Sequence, residues 1–302
     1  MRKLSSALST FRGNVEYYLS NCFSGVIGDR MYLKRFYKEM FGKRLNLFRP
    51  KSFNEKMQWL KLYDRNPLYS LLADKYSAKQ YLSDMFGIEY VIPLITIWDK
   101  AEDIDFESLP KRFVLKCTHD SSGVIICRNK DELDINGAIE FLNKRLKKNY
   151  FWFRREYAYK NIVPRVLCEE YMENNGEDEL NDYKVWCFNG KAEYIQLDFD
   201  RATLHRINLY DTLWQQIPVR IHRPSDTYRD FDKPVFLNEM ISIAEKVSNS
   251  FTFLRVDFFI INNRLFIGEL TFYPEAGFTR FDPLEYNDIL GKKLILPRSK
   301  RK

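Results

Sequence analysis

The sequence predicts an α+β protein, built mostly from antiparallel sheet and preceded by a basic helical region. Three observations carry that prediction. The stretch RVDFFIINNRLFIGELTF, residues 255–272, sets two apolar runs around Asn262-Asn263, the pattern of a β-hairpin. A second hairpin signal, Asn189-Gly190, joins YKVWCF to AEYIQL. Ahead of these strands, apolar residues recur at helical spacing.

In chain order, Leu33, Phe36, Tyr37, Met40 and Phe41 share one face of a helix over 31–41, with Lys34, Arg35 and Lys38 opposite. Such a helix suits packing on the body or lying on a membrane surface. Ser52 and Glu55 form a capping-box pattern that opens a helix carrying Phe53, Met57 and Leu60 on one side. NPLYSLLADKYSAKQYLSDMFG predicts a single further helix ending at Gly87, and YVIPLITIWD a strand. From Phe113 the texture turns to short β runs: FVLK, GVIIC, RVLCEEY, YKVWCF and AEYIQL. The helical patterns DELDINGAIEFLNKRLKK and FLNEMISIAEKVSNSF interrupt them. The chain divides into a basic helical region (1–50), a segment ahead of the main body (51–112), the body (113–297) and a basic tail (298–302).

Composition narrows the function classes. The 302 residues are 45% hydrophobic, enough for a sizeable core, yet no apolar run approaches the ~20 residues of a membrane span. The N-terminus lacks the apolar stretch of ~7–15 residues of a secretory signal. Five scattered cysteines without a CxxC pair fit reduced thiols in a cytoplasm and offer no zinc site. Net charge is +7, unevenly spread: +8 over residues 1–51, +4 in the tail and −5 between. A basic end beside an acidic body points to an anionic partner: a membrane leaflet, a glycan phosphate or a nucleic acid. No zinc finger, RNP-like run or basic zipper supports the last.

The 255–272 hairpin holds charge where core is expected. A two-residue loop at Asn262-Asn263 mixes charge and bulk on both faces. A three-residue loop, Asn262 to Arg264, puts Asp257 opposite Glu269 and Arg255 opposite Thr271, and leaves the second face free of charge. Hydrophobic pattern therefore selects the three-residue loop. Two carboxylates about 5 Å apart at Cβ repel unless a cation lies between them, and hard oxygen donors favour Mg²⁺ or Mn²⁺.

Four further pieces accompany the hairpin. Lys75 lies in the helix ahead of the YVIPLITIWD strand. FVLKCTHDSSGVIIC is strand, loop, strand, with Lys116 closing the first strand and Ser121-Ser122-Gly123 a small-residue loop whose amides suit phosphates. RVLCEEYME is an apolar strand ending in Glu169 and Glu170. NDYKVWCFNGKAEY opens a hairpin with Asp182 and Lys184.

In this order and spacing the chain resembles the ATP-grasp superfamily, and within it the TupA-like group associated with bacterial surface-polysaccharide genes. The blocks FNEKMQWLKLYDRNPL, ADKY, LPKRFVLKCTHDSSG, DYKVWCFNGK and RVDFF…GELTFYPEAGF carry the likeness, over roughly residues 45–296. The resemblance implies an ATP-grasp fold of two α+β lobes. It implies that Lys75 and Lys116 hold the nucleotide phosphates, with Ser121, Ser122 and Gly123 as a lid. Glu169 would receive the adenine amine, Tyr171 and Met172 would flank the ring, and Asp182 would take the ribose hydroxyls. Asp257 and Glu269 would bind Mg²⁺, and Arg255, with Lys184, would serve the transferring phosphate. Thr271 departs from the asparagine common at that position, which weakens a second metal.

The implied activity is ATP- and Mg-dependent carboxylate–amine ligation through an acylphosphate. Its substrate would be an anionic sugar or lipid-linked glycan in the making of a bacterial cell-surface polysaccharide, handled in the cytoplasm or at the inner face of the membrane. A glycosyltransferase is the first alternative, for which Asp198-Phe199-Asp200 supplies a DxD pattern. A non-enzymatic anionic-glycan or membrane binding module is the second.

Overall fold

The computed structural model describes residues 28–174 and 180–297. The stretch 1–27 and the tail 298–302 lie outside the described residues, so half of the net positive charge assigned to the chain ends is not placed; the other half lies on residues 28–51.

Two antiparallel sheets organise the molecule. The smaller contains β1 (Leu94–Trp98), β2 (Phe113–Cys117), β3 (Val124–Cys127) and β4 (Val166–Glu170), in the order β1-β4-β2-β3. The larger contains β5 (Asp182–Phe188), β6 (Lys191–Phe199), β7 (Arg206–Tyr210), β8 (Gln216–Ile217), β10 (Phe253–Ile261) and β11 (Arg264–Thr271), in the order β11-β10-β5-β6-β7-β8. A two-stranded ribbon pairs β9 (Arg220–Ile221) with β12 (Phe281–Asp282).

Each sheet has its own apolar layer. Phe113, Leu115 and Val166 of the small sheet pack with Leu142 from a helix over Ile135–Leu146. Val185, Ile195 and Val256 of the large sheet pack under the helix Leu237–Ser248, whose Met240 and Ala244 are fully buried.

Of the N-terminal helices, the one carrying Phe53, Met57 and Leu60 joins the large-sheet core, while the one before it builds a separate cluster. Helix α1 (Asp29–Phe41) buries Leu33, Phe36 and Tyr37 with Leu45, Leu47 and Phe278. Of the two fates open to this amphipathic helix, packing on the body is the one seen. Helix α2 (Phe53–Tyr63) starts with the expected capping box: Glu55 N donates to Ser52 Oγ (3.4 Å) and Ser52 N to Glu55 Oε2 (3.2 Å).

The single helix expected over NPLYSLLADKYSAKQYLSDMF is instead two, α3 (Leu68–Ala73) and α4 (Lys75–Phe86). Asp74 breaks it: its backbone is extended, and its carboxylate caps α4 by accepting from Ser77 N at 2.7 Å. The Lys75 amide meanwhile donates to Thr118 O (3.0 Å), anchoring α4 on the small sheet.

The β10–β11 turn also differs from expectation. The loop has two residues, not three: Ile261 pairs with Arg264, and Asn262 and Asn263 take φ of 48° and 55°. Both positive angles suit the tight turn whose twist matches the strands. A bulge beside Gly268 then shifts the register, so Asp257 faces Glu269 and Arg255 faces Thr271 as the hydrophobic pattern demanded. A Cβ at Gly268 would sit 2.6 Å from Phe259 Cε2, so the bulge needs glycine.

Candidate active site

The sheets contribute facing halves of one cleft. From the small sheet, Lys116 closes β2 and Glu169 lies on the neighbouring β4, nearly buried. Its two oxygens bind Lys79 (2.9 Å) and Lys116 (2.5 Å). Burial pushes the Glu169 carboxyl up, but the two lysine charges outweigh it and hold it below its ordinary value. Glu170, one residue on, is exposed at the edge of the same cleft. Lys79 was not among the residues singled out from the sequence. It lies one turn after Lys75 on the same helix, and that i, i+4 spacing is the signal that could have found it.

Lys75 reaches the loop after β2, where its Nζ donates to Asp120 O. The loop is shaped by the Asp120 carboxylate, which accepts from Gly123 N (2.7 Å) and Arg145 Nε (2.6 Å). A Cβ on Gly123 would stand 2.7 Å from Asp120 Oδ1, so glycine is required there. Ser121 and Ser122 are exposed, and Ser121 Oγ meets Tyr150 OH at 2.6 Å.

From the large sheet come Asp182, Lys184, Arg255, Asp257, Glu269 and Thr271. Arg255 grips Asp257 through two bonds (2.6 and 2.7 Å), donates to Thr271 Oγ1 (3.1 Å) and stands 3.7 Å from Glu269. Burial alone would ease the Arg255 proton off; Asp257 and Glu269 reverse that and raise its pKa. Lys184 is buried between Asp182 (2.7 Å), Asp257 (3.2 Å) and Asp198 (3.8 Å). It lines none of the cavities around the carboxylate pair, so its geometry is that of a fixed counter-charge beneath Asp257. Asp182 is further paired with Arg201.

Electrostatics ties the halves together. Burial would raise the Glu269 carboxyl, but Lys75, Arg255, Lys184 and Lys116 together lower it. Lys75 and Lys116 therefore act on the same cleft as the carboxylate pair. Glu269 keeps 44% of its side-chain exposure, the group of the pair open to that cleft.

Beside Lys116 the cleft widens into a cavity of about 900 Å³. Ile92, Val114, Met172 and Phe259 give it apolar walls, and Glu169, Tyr171 and Asp182 border it. A flat apolar ring with polar groups at its edge fits that lining.

The carboxylate pair is also suited to a cation. Asp257, Glu269 and the Thr271 hydroxyl are hard oxygen donors, and a guanidinium already lies against them. Among the described residues no group of three or more His, Cys, Asp or Glu is arranged around a metal position. A cation here would complete its shell with water and phosphate oxygens, the usual mode of Mg²⁺.

Asp198 and Asp200 are both occupied. Asp198 is buried and bound by Gln196 (2.6 Å) and His205 (3.0 Å). Asp200 pairs with Arg206 (3.4 Å) and Arg229 (3.1 Å).

A family model described as TupA-like ATPgrasp matches residues 55–295, most of the chain and every element of the cleft. The chain belongs to the TupA-like ATPgrasp family. The two-lobed ATP-grasp fold inferred from the sequence holds. No curated protein matches the chain in sequence.

Among solved structures it is similar to D-alanine–D-alanine ligase from Bacillus anthracis complexed with ATP, at 18% identity and TM-score 0.42, covering 76% of this chain and 66% of that one. It is similar to N5-carboxyaminoimidazole synthetase from Staphylococcus aureus complexed with ADP, also at 18% and 0.42, covering 75% and 53%. D-Alanine-D-alanine ligase from Helicobacter pylori gives 17% and 0.42, covering 82% and 70%. The chain spans 44 to 66% of the length of the first three structures it matches. With TM-scores below 0.5, these likenesses carry no weight for the chemistry of the cleft.

Proposed function

We propose that the cleft binds ATP with Mg²⁺ and that the protein is an ATP-dependent carboxylate–amine ligase. The observation that carries this is the cleft itself: Lys116 and Glu169 of the small sheet and Asp182 and Phe259 of the large one line one cavity, and Lys75 and Glu269 line the pocket beside it. ATP brings about four negative charges, and lysines, an arginine and a divalent cation are the groups that offset them.

In this reading the adenine enters the 900 Å³ cavity against Tyr171 and Met172. Glu169, whose oxygens retain acceptor capacity beyond the two lysines, takes the adenine amine. Asp182 takes the ribose, once it shares Arg201. Lys75 and Lys116 hold the phosphates under the Ser121-Ser122-Gly123 loop. Asp257, Glu269 and Thr271 would hold Mg²⁺, which supplies charge neutralisation of the phosphate oxygens when bound; Mn²⁺ could replace it. Arg255 steadies the transferring phosphate, and Lys184 keeps Asp257 in place. These residues orient and stabilise charge, which is what phosphoryl transfer asks of a protein. The substrate carboxylate takes the γ-phosphoryl group, and an amine then displaces phosphate.

The acceptor we favour is an anionic sugar or lipid-linked glycan precursor of a surface polysaccharide, met at the inner face of the membrane. It rests on the group resemblance and on the basic chain ends. Among the described residues no helix is long and apolar enough to cross a membrane.

Incubating the full chain with Mg·ATP, sugar acids and amine pools tests the reading, with mass spectrometry for ADP and a new conjugate. ADP plus a dehydrated conjugate is the expected result. Consumption of a sugar nucleotide without ATP loss would turn the reading to glycosyl transfer. Binding without turnover of either would leave a binding module.

A further inference from the structure

A second cavity, of about 340 Å³, borders Glu269 of the carboxylate pair. Arg255, Glu269 and Thr271 form its rim, so it shares those groups with the nucleotide cleft. Phe36, Phe153 and Phe278 contribute aromatic walls, and Glu156, Tyr159 and Tyr273 complete the lining.

Two polar groups of this lining are open to an incoming ligand. Glu156 is 5% exposed, and among the described residues its carboxylate accepts no hydrogen bond. The nearby ammonium of Lys61 donates instead to the carbonyls of Arg154 (2.9 Å) and Ala276 (2.8 Å). The Tyr273 hydroxyl is buried without a partner. Glu156 lines the cavity and its oxygens are not sealed from it, so a donor that enters can reach them beside the unpaired Tyr273 hydroxyl.

The cations around the cavity are committed elsewhere. Arg255 is spent on Asp257, and Arg154 stacks on Phe36 and Phe153 (4.1 and 4.0 Å) while donating to Phe153 O. His222 lies 3.8 Å from Glu275. The wall itself is held rigid. Glu275 and Ala276 take positive φ (48° and 52°), and Gln58 and Lys61 of α2 clamp the carbonyls of Gly277 and Ala276. Strain of this kind at two consecutive non-glycine residues persists only where surrounding contacts enforce it.

We infer that this cavity receives the amine substrate as a primary ammonium, with Glu156 as its binding partner and proton acceptor. The inference rests on the ligase reading above. An ammonium supplies hydrogen-bond donors, which Lys61 spends on backbone carbonyls instead, and aromatic faces favour it over an anion. Glu156 takes one proton from the ammonium. The neutral nitrogen then attacks the acyl carbon of the acylphosphate, the C–N bond forms, and the C–O bond breaks with its electron pair leaving on phosphate. Of the two protons left on nitrogen, one departs with that phosphate and the other stays as the amide N–H.

Burial pushes the Glu156 carboxyl up to about 7, and Lys61, Arg154 and Glu275 are the charged groups that face it. Burial pushes Lys61 down to about 7 in turn. Glu156 thus titrates where an ammonium can hand over its proton near neutral pH.

The test uses three matched small probes on the full chain: ethanolamine, ethylene glycol and glycolate, followed by saturation-transfer NMR. Ethanolamine should bind about tenfold more tightly than the other two, and lose that margin in Glu156→Gln. Its binding should weaken as pH falls through about 7, as Glu156 takes a proton. Tyr273→Phe keeps the ring and removes the unpaired hydroxyl, so it should weaken ethanolamine less than Glu156→Gln does. Equal binding of the three probes, a preference for glycolate, an unchanged Glu156→Gln, or no ethanolamine binding overturns the inference. ATP binding is measured in parallel: its absence sinks the ligase reading, whereas ATP binding without ethanolamine binding sinks this inference alone.

Discussion

Replacing Glu169 with glutamine should both loosen the fold and weaken nucleotide binding. The carboxylate is 5% exposed and is the shared counter-ion of Lys79 and Lys116. Breaking a buried pair by removing one partner costs ~3–5 kcal/mol. Lys116 keeps 24% of its exposure and can return to water, whereas Lys79, at 11%, cannot. The expected loss is therefore about 2–3 kcal/mol, below that range. At about 2 °C per kcal/mol for a chain of this size, the melting temperature should fall by about 4–6 °C. The pH dependence has a definite sign. The folded carboxyl is held below its ordinary value, so its stabilisation is present above the unfolded carboxylate pKa and is lost as pH falls through the folded value. The gap between wild type and variant should close in acid. Glu170→Gln, at the exposed neighbour, is the control and should melt within about 1 °C of wild type. Scanning calorimetry between about pH 2 and pH 7, chosen to run from above the unfolded carboxylate pKa of about 4.3 to well below it, reads both effects. Equal melting of the two variants would refute the assignment of Glu169 as a buried counter-ion.

Other perturbations probe other joints of the structure. Gly268→Val should destabilise by about 1–3 kcal/mol, since its Cβ meets Phe259, and should abolish Mg-dependent ADP release by disturbing the Asp257–Glu269 opposition; urea titration and a coupled ADP assay measure the two. Leu33→Ala should cost about 2–5 kcal/mol, because Leu33 is fully buried under α1, and a stability loss under ~1 kcal/mol would mean that helix is dispensable to the core. Replacing Arg30, Lys34, Arg35 and Lys38 by glutamine in a chain without residues 1–27 should lower salt-sensitive flotation with anionic liposomes; flotation equal to that of the full chain would dismiss the membrane role.

Much of the cleft could be read from the chain because its residues sit at strand ends and in a hairpin whose faces segregate. The Asp257–Glu269 opposition was legible from hydrophobic alternation alone. The two-residue turn was not, because alternation is blind to a bulge: the shift at Gly268 depends on the missing Cβ against Phe259, a contact between strands. The split of α3 from α4 was available at Asp74, a good capping residue inside a helical pattern, but helical periodicity runs through it. Lys79 sat one turn from Lys75, yet nothing local says that its charge is matched to Glu169, far along the chain on β4. The second cavity was invisible for the same reason. Phe36, Glu156, Arg255 and Tyr273 meet only after α1, the segment past β3, and both strands of the hairpin have packed. Short strands such as β8 and β9 carry too few residues for any period to show.

The measurement closest to the central claim is a calorimetric titration of ATP into wild type and Asp257→Asn, each with Mg²⁺ and with EDTA. Wild type should bind ATP about tenfold or more tightly with Mg²⁺ than with EDTA, and the variant should lose that difference. Equal affinity of wild type under both conditions, or no ATP binding at all, would contradict a hairpin face built to hold Mg·ATP.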